Sequence, residues 1–319
     1  MSKKAFYSFP LMAFAMLAFG SCSDDDGGND GHDGASGVHS PYITSVIDYR
    51  PAPGQFVNTM PEYEEGDTQE DMNAKALAAI GNNARGLVTL GGYGGYVVCG
   101  FDHTIENVPG EADFKVLGNS FYNGSTVQDG TSLPGGSCEP GIVMVAYDRN
   151  KNGKADEDEW YELAGSEYAK PTTVKGYEIT YRRPAGDALA DIPWTDNRGG
   201  SGTIMRNSYH RQDYYPLWID DAELTFSGTL LPPNAVDENG DGSYWVLYAY
   251  EWGYADNRLN TEDGSNFDID WAVDSDGNHV SLPGADFVKI YTGVNQQCGW
   301  IGETSTEVMG ITDLHLTNQ

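Results

Sequence analysis

Basic residues are scarce in this chain: 18 Lys and Arg stand against 48 Asp and Glu, a formal net charge of −30 at pH 7. Nucleic acids and anionic membrane surfaces both select basic patches, so neither is an expected partner. Cysteine is scarce as well, with four in 319 residues, and no Cys or His spacing matches a zinc site. The apolar run Leu11–Phe19 is too short to cross a bilayer. Catalytic signatures are missing: there is no Gly-x-Ser-x-Gly elbow, Walker loop or His-Glu-x-x-His, and His103, His210, His279 and His315 have no spaced partner. Among 48 acidic residues a carboxylate pair chosen on paper carries no information, so the chain is expected not to be an enzyme.

What is present begins with a leader. Lys3 and Lys4 precede the apolar run, and residues 1–21 read as a secretory signal peptide. Phe19-Gly20-Ser21-Cys22 resembles a bacterial lipobox, with Phe19 where Leu is usual, and makes Cys22 the expected lipidated residue. Residues 22–40 are acidic and Gly-rich with little apolar surface to bury, the composition of a flexible tether. The Ser-Asp-Asp-Asp start of that tether resembles the surface-export signal of Bacteroidetes lipoproteins. The expected location is the outer membrane, facing the cell exterior, with the lipid as the sole membrane contact. In such an oxidising compartment two of Cys99, Cys138 and Cys298 can pair, and spacing does not decide which.

Residues 41–319 read as one ligand-binding region. Short runs rich in Val, Ile and Tyr, such as 86–92, 95–101 and 141–147, are separated by Gly, Pro, Asn and Asp. That rhythm predicts an all-β fold, a jelly-roll-like β-sandwich built as one large domain or as two packed β subdomains. One helix is expected after Thr68 or Asp71 as cap, with Met72, Ala76, Leu77 and Ile80 near one face and Gly81 as the stop.

The stretch "DRNKNGKADEDE" carries metal-ligand spacing. Asp148, Asn150, Asn152, the Lys154 carbonyl, Asp156 and Glu159 fall on positions 1, 3, 5, 7, 9 and 12 of a calcium loop, and Gly153 supplies the sharp turn. An Asx-rich turn without metal uses the same residues. The flanks read as strands, so Ca2+ here is expected to be structural and not a signalling ligand. The loop at Asp237 starts similarly but has Tyr248 where the closing carboxylate belongs, and reads more as a turn than as a site.

Aromatics gather with amides and glycines in three stretches, Ile192–Trp218, Tyr250–Asn257 and Asn295–Glu307. Aromatic faces beside amide and hydroxyl groups suit a large, amphipathic, uncharged ligand. The predicted face consists of Trp194, Asn197, Arg198, Tyr209, Tyr214, Tyr215, Trp252 and Trp300.

The stretches "LGGYGGYVVCGFDHTIENVPGEADFKVLGNSF", "EPGIVMVAYDRNKNGKADEDEWYELAGSEY", "NRGGSGTIMRNSYHRQDYYPLW" and "DFVKIYTGVNQQCGWIGETSTEVMGITDLHL" resemble a family of Bacteroidetes cell-surface lipoproteins, over nearly all of the chain after the tether. Within it the sequence looks most like the surface-exposed cobamide-binding lipoproteins of gut Bacteroides. The resemblance implies cobalamin as ligand and a TonB-dependent outer-membrane transporter as partner. Related surface lipoproteins serve glycan uptake, so carbohydrate binding is the alternative.

Overall fold

Strand formation follows the alternation of apolar and polar residues. In Val174–Arg182, Tyr177, Ile179 and Tyr181 are buried while Lys175 and Glu178 are exposed, the period-two pattern of a sheet covered on one face. Its neighbour Glu223–Leu230 buries Leu224 and Phe226 on the same side. Gly284–Thr292 is different, being buried along most of its length. Val288 and Ile290 enter one core with Val97, Cys99, Val143 and Val145, and Tyr291 enters a second core with Tyr93, Ile142 and Tyr177. A strand covered on both faces carries apolar side chains on each, here broken only at the half-buried Asp286 and Lys289.

The computed structural model describes residues 38–127, 131–186 and 189–317. Its largest sheet has six antiparallel strands in the order Ser45–Arg50, Tyr96–Glu106, Gly284–Thr292, Gly141–Ala146, Trp160–Leu163 and Ala272–Val273. A second sheet orders Ser201–Ile204, Ile192–Asp196, Val174–Arg182 and Glu223–Leu230. A third orders Ala235–Asp237, Trp245–Tyr248, Pro134–Ser137 and Phe121–Thr126. The fourth consists of Asn266–Phe267, Phe114–Leu117 and Gly310–Asp313, and Glu307–Val308 pairs with Val88–Thr89.

These sheets are arranged as a four-blade β-propeller, which overturns the expected jelly-roll sandwich. A sandwich packs two sheets face to face over one core. Here the strands close into several small antiparallel sheets and the buried apolar residues divide between two clusters. Sequence rhythm reports strand length and turn chemistry, which the two architectures share.

The helix forms at Gln69–Ile80. Thr68 caps it, its backbone N–H donating to the Asp71 carboxylate at 2.9 Å, a reciprocal capping box. Met72, Ala76 and Ile80 are buried, and the Gly81 N–H closes the end on the Leu77 carbonyl. Gly91 marks a close approach between segments: at φ +68°, a Cβ there would lie 1.9 Å from the Ala52 carbonyl oxygen.

Cys99, Cys138 and Cys298 are free, buried thiols, so the pairing that the compartment would allow does not form among them in this fold. Burial pushes them up to about 12, 12 and 11, which keeps them protonated and inert. The stretches read as signal peptide (1–21) and tether (22–40), with Cys22, lie outside the described residues apart from residues 38–40. No helix among the described residues is long and apolar enough to cross a membrane.

Candidate ligand-binding cavity

A cavity of about 640 Å³ opens where loops from several sheets meet. Met60, Leu87, Leu247 and Ile301 make apolar wall, and Asn119, Asn123 and Asn207 add amides. Four aromatic residues that border it remain exposed: Phe121 (56%), Tyr209 (75%), Tyr244 (44%) and Trp300 (56%). Tyr209 and Trp300 stand edge to face with ring centroids 6.3 Å apart.

Local backbone chemistry holds these rings out. Gly299 and Gly302, at φ +53° and +106°, bracket Trp300 and Ile301. The Cys298 N–H donates to the Gly302 carbonyl at 2.7 Å and the Ile301 N–H returns to Cys298 at 3.0 Å. The tight turn points Trp300 outward, where its Nε1 donates to the Ser243 carbonyl at 3.3 Å. Glycine is required at 299, since a Cβ would meet the Trp245 indole nitrogen at 2.6 Å. Tyr209 is set by an Asx turn in which the Asn207 Oδ1 accepts from the N–H groups of Tyr209 and His210 at 2.9 and 2.8 Å.

Carboxylates collect at the cavity. Glu139, Glu303 and Glu307 line it, and Asp256 stands behind, so that ligand oxygens of Glu139, Asp256 and Glu307 lie within 4.8 Å of one another. The Asp256 Oδ1 accepts from the N–H groups of Asn119 and Ser120, each at 2.8 Å, and Oδ2 from that of Glu307 at 3.0 Å. Glu307 accepts from the Thr89 hydroxyl at 3.1 Å. Glu303 accepts from the Gln55 N–H through Oε1 at 2.5 Å, while its buried Oε2 has no hydrogen-bond partner. Desolvation, with repulsion between Glu139 and Glu303, pushes Glu139 up to about 7, and burial pushes Glu303 up to about 7. Burial first and the charge of Glu139 second raise Asp256 and Glu307 well above the carboxylate range.

Of the eight residues predicted from sequence as a binding face, Tyr209 and Trp300 border this cavity and the other six do not. Tyr214 and Tyr215 are core, their hydroxyls donating to the His210 and Asp221 carbonyls, and the Arg183 guanidinium stacks 4.1 Å above the Tyr215 ring. Trp194 packs against the second core over Gly202. Asn197 braces a strand end by donating to the Gly176 carbonyl and accepting from the Glu178 N–H, and Arg198 sits exposed in the same turn. Trp252 lies against Trp271 at 4.7 Å. Tyr214, Tyr215 and Trp194 pack in or against the second core because large rings bury area.

The calcium-like loop is strand-flanked, as expected, between Gly141–Ala146 and Trp160–Leu163. Asp148 accepts from the N–H groups of Asn152 and Gly153 at 3.0 and 2.7 Å, and Asn150 and Asn152 both donate to Asp156. Glu159 is buried and accepts from the N–H of Arg149 at 2.9 Å. Lys154 donates its N–H to Asn152 at 2.8 Å, and Gly153 takes φ +75°. The six positions thus share one curled loop, a geometry that serves an Asx turn and a calcium loop equally. At Asp237 the chain makes a hairpin turn in which Oδ2 accepts from the Gly242 N–H at 2.6 Å.

The four cavity carboxylates and the rim residues Phe121 and Tyr244 were not among the sequence-derived candidates. Glu303 and Glu307 do fall inside the aromatic and amide stretch Asn295–Glu307, and Asp256 inside Tyr250–Asn257. No family model matches this chain, and no curated protein matches it either.

Proposed function

We propose that this protein is an outer-membrane surface lipoprotein that takes up a corrinoid in the aromatic-rimmed cavity and passes it to a TonB-dependent transporter. One observation carries the reading: Phe121, Tyr209, Tyr244 and Trp300, four of the five exposed aromatic side chains among the described residues, stand around a single cavity. Concentrated apolar exposure beside a concave, partly polar cavity is what a small-molecule site needs. A corrinoid has an apolar macrocycle with amide arms; the rings cover the first, and the asparagine and glutamate side chains hydrogen-bond the second. No Lys or Arg among the described residues lines the cavity, in keeping with a ligand of little negative charge. The leader, the lipobox-like Cys22 and the family resemblance supply the surface location and the uptake partner.

Carbohydrate binding is the second reading, favoured by the glutamates at the cavity, which accept hydrogen bonds from sugar hydroxyls as readily as from amides. Calorimetry separates the two: heat with cyanocobalamin and none with neutral oligosaccharides supports the first, and the reverse supports the second. Two carboxyls held near 7 also meet a requirement of acid–base catalysis. A binding protein returns its ligand unaltered, so mass spectrometry of the recovered ligand after long incubation decides between binding and turnover.

A further inference from the structure

Buried carboxylates at one place need protons or a cation. Glu139, Asp256 and Glu307 bring ligand oxygens within 4.8 Å of one another. Oxygens that share one calcium ion at 2.3–2.6 Å cannot lie more than about 5 Å apart, and this group meets that limit. Among the described residues none of these carboxylates has a Lys, Arg or His partner: the nearby Arg258 is tied to Glu262 at 3.1 Å. An independent observation points the same way. Glu303, 4% exposed, lines the same cavity and leaves its Oε2 buried without a partner, and a buried oxygen acceptor with nothing to accept from is costly unless something binds there.

We propose that Glu139, Asp256 and Glu307, with Glu303 and its unpartnered oxygen lining the same cavity, form a divalent-cation site in the cavity wall, selective for ions that take oxygen ligands, calcium foremost. The donor set is entirely hard oxygen, which disfavours zinc and copper. Asp256 is pre-set by three backbone N–H groups, and the half-buried Glu139 gives the ion its route from the cavity. The proposal does not depend on which organic ligand the cavity takes, and it is separate from the loop at Asp148–Glu159.

The test uses the full chain after chelation and desalting, with calcium as the probe. Asp148→Asn with Asp156→Asn first removes binding by the loop. Calorimetry on that background is expected to show one calcium per chain, and adding Glu139→Gln is expected to weaken it at least tenfold. Glu307→Gln serves as the second variant, and a thermal melt of each variant confirms folding. Should one of the two fail to fold, the other decides. The proposal is overturned if the loop-neutralised protein binds no calcium, or if a folded Glu139→Gln or Glu307→Gln variant binds it as tightly as that background does.

Discussion

Replacing Glu303 by Gln should make the protein more resistant to rising pH. The carboxyl is buried, with Oε1 held by the Gln55 N–H and Oε2 unpartnered, and burial moves it from an ordinary 4.5 to about 7. A folded-state value above the unfolded one means that the folded protein holds the proton more tightly. Its stabilising contribution is therefore complete below about pH 4.5 and is lost as pH rises through about 7. Each pH unit of displacement is worth about 1.4 kcal/mol, so the loss between those limits is about 3 kcal/mol. Glutamine keeps an acceptor for the Gln55 N–H and does not titrate. Urea denaturation in chelator at pH 5 and pH 8 gives the readout: the difference in unfolding free energy, variant minus wild type, should grow by about 2.5 kcal/mol between the two. A pH-independent difference would refute the claim that Glu303 ionises at a cost inside the fold.

Rim and core aromatics should separate cleanly. Trp300→Ala is expected to weaken a demonstrated ligand by about 30-fold, near 2 kcal/mol, and to shift stability by less than about 0.5 kcal/mol; calorimetry and melting measure the two. Tyr215→Ala should instead cost about 3–5 kcal/mol of stability, because the ring is 1% exposed. Chelation should lower the melting temperature without changing the circular-dichroism spectrum, since a ligand held only by the folded state stabilises by about 2.7 kcal/mol at a hundred times its dissociation constant. An identical melt in chelator and in calcium would rule that out. Gly91→Ala should destabilise by more than about 1 kcal/mol, given its positive φ and the Cβ clash with Ala52, and denaturant midpoints check it.

Strands, turns and the capped helix were legible in the sequence because each rests on local chemistry. Thr68 and Asp71 form the box that their spacing implies, and Gly81 stops the helix. Blade closure was not legible: which strands pair is set by contacts between residues far apart, as when Tyr96–Glu106 meets both Ser45–Arg50 and Gly284–Thr292. The site was half visible. All three aromatic and amide stretches send residues to it: Asn207 and Tyr209 from the first, Asp256 from the second, Trp300, Glu303 and Glu307 from the third. Composition marked the stretches, but burial decides which member of each is core and which is surface. Trp194 and Tyr214 look like Tyr209 on paper and differ in that they pack against or within the second core. The carboxylates escaped notice because only the fold distinguishes four acids at one cavity from the other 44 of the 48.

The most direct measurement of the central claim is co-elution of cyanocobalamin with the purified chain through a desalting column, followed by its visible absorption. The wild type is predicted to emerge coloured at one corrinoid per chain, and a folded Tyr209→Ala/Trp300→Ala double variant to emerge colourless. A colourless wild type would contradict the corrinoid assignment, and a double variant that keeps its colour would contradict the cavity as the site.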